Sequence, residues 1–255
     1  MITTMERMHA CERVLIGVGL VLLSLLAWAY LVRQAMPSGM ATSMVMPGES
    51  GGGIELLVMS ALMWTVMMVA MMLPSAGPMI LTYARVHQRK AANGLASAPT
   101  WLFVAGYLAV WTGIALLLAL AQWGFHESEL LSSAMGRVGP LLGGGLLITA
   151  GAFQFSHLKE ACLGKCRSPL GFLMTEWREG HTGAVIMGIR HGTFCTGCCW
   201  ALMLLMFVGG VMSLTWMAGL ALYFLVEKLL PGMESITRVT GALLIAAGVV
   251  LALAS

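Results

Sequence analysis

The sequence predicts an all-α fold, a polytopic transmembrane helix bundle of about seven spans, with six the alternative count. Three observations carry this. Hydrophobic residues make up 59% of the 255 positions and charged residues only 10%, where a soluble domain carries about 25% charged residues. Mean hydropathy is +0.88. The apolar positions gather into runs long enough to cross a hydrocarbon layer of about 30 Å, and the basic residues collect in the short connections between them. The net charge of +3 is small and dispersed, which argues against a nucleic-acid partner and for the lipid bilayer. Residues 1–13 read as a cytoplasmic amino-terminal segment, and 14–255 as one integral membrane helical domain.

The first span is Val14 to Val32. It exceeds the apolar region of a signal peptide, about 7–15 residues, and no small-residue cleavage site follows promptly, so it reads as an uncleaved anchor. Residues 33–53 turn to Met, Pro, Ser, Thr and Gly, with Met36, Met40, Met44 and Met46 spaced along them. With a basic amino terminus inside, this methionine-rich loop falls on the extracytoplasmic side. The second span, Leu56 to Thr82, carries Met59, Met63, Met67 and Met71 at four-residue intervals, with Met68 and Met72 beside them. Such spacing lays thioethers along one side of a helix, where they either fill irregular contacts or hold a soft cation. Pro74 and Pro78 follow, and each frees a carbonyl that a neighbour must satisfy.

Arg85, Arg89 and Lys90 mark the next loop as cytoplasmic, and Trp101 to Trp123 forms the third span, with Tyr107 and Trp111 as interface or packing aromatics. Pro140 to Phe155 is a glycine-rich fourth span in which Gly143, Gly144 and Gly145 permit close helix approach. Residues 157–181 form the most basic connection, read as a cytoplasmic loop holding Cys162 and Cys166. The fifth span is re-entered near Gly192 and completed by Ala201 to Met212; Ser213 to Val226 is a marginal sixth, closed by Glu227 and Lys228 as interface anchors; Val239 to Ala254 is the seventh.

The densest chemistry lies between Arg190 and Trp200, where His191, Cys195, Cys198 and Cys199 fall within nine positions. On a helix, offsets of 4, 7 and 8 from His191 put all four on one face. If the chain leaves the bilayer at His157 and returns near Gly192, Cys162 and Cys166 come beside them at the inner leaflet. Lys165 and Arg167 would favour thiolates, and Arg190 would either snorkel or pair with thiolate charge. Thiolate and thioether donors together favour copper(I); zinc closed by four Cys or His ligands is the alternative.

Three tracts resemble the family of predicted metal-binding integral membrane proteins, which includes a bacterial membrane copper chaperone for tyrosinase. They are Met67-Met68-Val-Ala-Met71-Met72-Leu-Pro74-Ser, Lys159-Glu-Ala-Cys162-Leu-Gly-Lys-Cys166-Arg167-Ser-Pro169, and Arg190-His191-Gly192 leading to Cys195-Thr-Gly197-Cys198-Cys199-Trp200. The Glu227-Lys228 pair also fits, and the resemblance runs from about Leu56 to the carboxyl terminus. It implies metal binding first and copper delivery second. A metal-receiving cuproenzyme or metallochaperone is the expected partner.

The sequence has no nucleotide-binding loop, no paired-carboxylate pattern, no serine nucleophile elbow and no Asp at all, so it reads as a binding protein and not as an enzyme. The expected function is copper(I) delivery or transport in a bacterial inner membrane. The expected ligands are Cys162, Cys166, His191, Cys195, Cys198 and Cys199, with Met63, Met67, Met68, Met71 and Met72. A structural zinc site in an assembly factor is the second reading. A thiol-disulfide oxidoreductase using Cys195 and Cys198 is the third.

Overall fold

A computed structural model describes residues 2–35, 53–94, 98–128, 131–132, 137–230, 232 and 234–254. The methionine-rich stretch with Met36, Met40, Met44 and Met46 lies outside the described residues. The fold is all-α apart from one short hairpin. In chain order, α1 is Ile2–Ala35, α2 Gly53–Ala92 and α3 Thr100–Glu127, followed by the antiparallel strands β1 (Leu131–Ser132) and β2 (Arg137–Val138). Then come α4 (Pro140–Phe153), α5 (His157–Arg167), α6 (Pro169–Glu176), α7 (Gly180–Met203), α8 (Met206–Gly209), α9 (Leu214–Leu229) and α10 (Glu234–Leu253).

Among the described residues, five stretches are long and apolar enough to cross a membrane: Cys11–Ala35, Leu57–Ala92, Thr100–Glu127, Gly180–Gly209 and Glu234–Leu253. A sixth arises if α4 and α5, bent by 65° at their junction, count as one broken span. The expected count of about seven is therefore reduced to five or six. The missing span is α9, whose 16 residues rise only about 24 Å. The outward faces of α1 and α10 carry bare aliphatic side chains, such as Leu26 at 66%, Leu243 at 65% and Val250 at 68% exposure. Surfaces of this kind suit hydrocarbon and not water.

The central helix is α2, which packs against α1, α3 and α9. It stays helical through Pro74 and Pro78. Pro74 has no N–H to give to the Ala70 carbonyl four residues back. That carbonyl instead accepts from Trp28 Nε1 at 3.1 Å and Ser24 Oγ at 3.4 Å, both on α1. The lost helix bond thus becomes a docking point for α1.

Glycines set the closest crossings. A Cβ on Gly106 would strike the Val185 carbonyl, one on Gly188 would strike the Phe103 carbonyl, and one on Gly192 would lie 2.9 Å from the Val110 Cβ. Consequently α3 and α7 meet backbone to backbone, as small residues allow between membrane helices. Similarly α4 meets α10 where Gly144 faces the Gly248 carbonyl and Gly151 faces the Gly241 carbonyl. Of the three consecutive glycines read as an approach surface, Gly144 and Gly143 serve it, while Gly145 faces open space.

One end of the bundle gathers the amino-terminal part of α1, the end of α2 and the connection into α7. There Arg13 donates to Gln88 at 3.2 Å and Gln88 to Glu12 at 2.9 Å. Lys90 pairs with Glu179 at 3.4 Å and lies over the Trp177 ring. The span that α7 begins runs on through α8 and ends at a turn. Gly210 takes φ 98°, a turn suited to glycine, and the Ser213 hydroxyl caps α9 by accepting from Trp216 N.

The α3–α7 contact makes a direct prediction. Gly188→Leu drives a side chain into the Phe103 backbone and is expected to lower the thermal midpoint in detergent by about 5–10 °C or more. Gly145→Leu, where a Cβ meets nothing within 4 Å, should shift it by about 2 °C or less.

Candidate metal centre

His191 and the three following cysteines sit well inside α7, which starts at Gly180 and not near Gly192. Cys195 is therefore about 22 Å along the helix axis from Gly180 at 1.5 Å per residue. This corrects the expectation of ligands at the lip of a span. In the upstream segment Gly188 lies against the Phe103 backbone of α3, and Gly183 against the Arg178 backbone just before the helix. His191, Cys195, Cys198 and Cys199 are all buried, on one face as the spacing predicts.

Residues 157–181, expected as a loop, form α5 and α6. Ser156 starts α5 by accepting a hydrogen bond from Lys159 N, an N-cap that satisfies one of the free amides. The helix folds back onto α7 instead of extending away. Its Cys162 sulfur lies 2.7 Å from where a Gly197 Cβ would be, so the missing side chain at Gly197 makes the room. The Cys166 side chain interacts with those of both Cys195 and Cys198. The thiols of Cys198 and Cys199 each donate to the Cys195 carbonyl at 3.0 Å. All six cysteines of the chain are free.

A third element reaches the same point. Met72 of α2 lies 3.6 Å by its sulfur from Lys228 Nζ, and its carbonyl accepts from the Tyr107 hydroxyl at 3.1 Å. Tyr107 also lies 3.3 Å from the Cys195 sulfur. Lys228, on α9, donates to the Cys195 sulfur at 3.0 Å and to Ser75 Oγ at 3.3 Å. Sulfur atoms from α2, α5 and α7 thus converge with an ammonium group from α9 among them.

The remaining expected ligands are placed differently. Met67, Met68 and Met71 are buried in the core and Met63 is half-buried, because α2 is surrounded on several sides. Met67, Met68 and Met71 share one buried core cluster with Cys195, Cys198 and Cys199, and Met63 packs against it. His191 is boxed by the rings of Phe103, Tyr107 and Phe172, with centroids 6.0, 5.5 and 5.5 Å away. Its Nδ1 has no hydrogen-bond partner among the described residues. Arg190 forms an ion pair with Glu176 of α6, and not with a thiolate. As the side chains stand, no three His, Cys, Asp or Glu among the described residues are grouped to hold a metal. The cysteine thiols are instead engaged with one another, the Cys195 carbonyl and Lys228.

Residues 61–251 match the sequence model of the family PpoB2, described as copper chaperone. The chain belongs to this copper chaperone family. No curated protein and no solved structure matches it. The family assignment connects the chain with copper, and it accords with a role in carrying a metal in place of catalysing a reaction. The resemblance seen in the three sequence tracts points the same way.

Several polar residues of the centre were not legible as such. Glu227 and Lys228, expected as interface anchors, are 2% and 5% exposed. Lys159 pairs with Glu227 at 2.7 Å inside the protein, and Glu227 also accepts from Thr237 at 2.9 Å and Tyr223 at 3.1 Å. Arg167 Nε donates to the Glu227 carbonyl at 2.9 Å. The available signal was an acidic and a basic residue together at the end of an apolar run too short to span. Tyr107, expected as an interface or packing aromatic, is fully buried beside Cys195.

The buried ion pair makes a second prediction. Glu227→Leu leaves the Lys159 ammonium without its carboxylate and is expected to cost about 3–5 kcal/mol in detergent unfolding. Lys159→Met combined with Glu227→Leu should recover most of that loss, and equal stability of the single and double variants would show that the two side chains are uncoupled.

Proposed function

We propose that this chain is an integral membrane copper(I) carrier of the bacterial inner membrane that holds the ion inside the bilayer. Cys166, Cys195 and Cys198 are the primary ligands, and Cys162, Cys199 and His191 are further donors within reach of the same centre. The observation that carries this reading is the meeting of Cys166 from α5 with Cys195 and Cys198 from α7, close to the Met72 thioether of α2. Soft sulfur donors on three separate helices suit a thiophilic monovalent ion. Zinc rarely takes a thioether, so the presence of Met72 favours copper over a structural zinc site.

Delivery proceeds by ligand exchange. Each thiol that binds loses its proton, one sulfur leaves the ion as another attaches, and the copper stays monovalent throughout. Met63, Met67, Met68 and Met71 continue the thioether column along α2 beyond Met72 and form the soft-donor approach. The basic end that gathers Arg13, Lys90 and the start of α7 faces the cytoplasm. The recipient is a copper-receiving cuproenzyme or a metallochaperone.

Elemental analysis of detergent-purified protein expressed with balanced copper and zinc tests the assignment. The wild type should carry near-stoichiometric copper, and the triple variant Cys195→Ser, Cys198→Ser, Cys199→Ser should carry none. Unchanged copper in the triple variant, or tightly held zinc without copper in the wild type, would refute it.

A further inference from the structure

We infer that Lys228 sets the electrical charge of the centre and thereby makes it select a monovalent over a divalent cation. This deepens the proposed copper reading and rests on it. Lys228 comes from α9 and is 5% exposed. Its ammonium touches Cys195 Sγ at 3.0 Å, Ser75 Oγ at 3.3 Å and Met72 Sδ at 3.6 Å. No carboxylate is among its contacts in the described residues. The neighbouring Glu227 is turned to Lys159 at 2.7 Å, with Thr237 and Tyr223 completing its shell.

Lys159 and Glu227 therefore form a pair with no net charge, while Lys228 is a surplus positive charge whose facing partner is sulfur. An unpaired ammonium is very costly in a low-dielectric interior, and an apolar side chain of similar size would pack there without that penalty. Its position is accounted for by the Cys195 and Met72 sulfurs and the Ser75 hydroxyl that it faces. A positive charge fixed this close to the ligands repels an entering divalent ion about twice as strongly as a monovalent one. With Lys228 removed, that bias against a divalent ion is lost.

The ammonium also orients the Cys195 sulfur, so the test must separate charge from packing. Competitive titrations with copper(I) and zinc(II) should be run on detergent-purified full-length protein. Lys228→Met is expected to lower the preference for copper(I) over zinc(II) by about a hundredfold, the scale of one unit charge a few ångströms from the ion at an effective dielectric near 20. Ser75→Asp keeps Lys228 but sets a carboxylate beside its ammonium, and should shift the preference in the same direction. Lys228→Arg retains the charge and should keep most of the wild-type preference. If Lys228→Met fails to fold, Ser75→Asp decides the matter. Wild-type selectivity in Lys228→Met or Ser75→Asp, with copper still bound, would overturn the role of Lys228 and leave the copper centre standing. A wild type that binds no copper would overturn both.

Discussion

Two backbones in contact, α3 and α7 at Gly106, Gly188 and Gly192, fix the position of everything in the centre. Membrane helices gain little from burying apolar surface against one another, since lipid is as apolar as leucine. Their association depends on close fit. The glycines bring Tyr107 of α3 against Cys195 and lay its ring over His191. Tyr107 then bonds the Met72 carbonyl of α2, so one crossing locates three helices. Gly197 continues the theme on the other side, where it admits the Cys162 sulfur of α5.

Charge in a dry interior is the second organising constraint. Three charged residues, Lys159, Glu227 and Lys228, are nearly inaccessible to water, although each could in principle have been placed in a headgroup region. Glu227 is satisfied by Lys159, Thr237 and Tyr223, which ties α5, α9 and α10 together. Lys228 is satisfied by groups that belong to the centre itself. The adjacent pair on α9 thus divides its work, one residue holding the scaffold and the other facing the sulfurs.

The all-α class, the apolar spans and the convergence of the two cysteine tracts were legible in the sequence because each rests on a local pattern. Hydropathy marks the long helices, and offsets of 4, 7 and 8 place His191 and its cysteines on one face. What failed to show depended on distant partners. The start of α7 at Gly180 was hidden by polar residues that pair within the protein, Glu179 with Lys90 and Arg190 with Glu176. The α5 helix read as loop because its basic composition resembles a solvated connection, yet Lys159 and Cys162 are buried. The methionine column was visible by spacing, but spacing cannot tell that α2 is enclosed on several sides. Met72 is hydrogen-bonded within the centre, and its sulfur contact depends on where α9 brings Lys228.

Cys195 is buried about 22 Å along α7 from Gly180 and about 12 Å from Met203, and on the proposed copper reading this has a consequence for any exchange of cargo. A docked acceptor resting on either end of the bundle would stay many bond lengths away from the sulfurs. On that reading the donor and acceptor ligands would not collide directly, and handover would include an internal leg. That leg belongs to this chain alone and would run at its own pace however abundant the acceptor became.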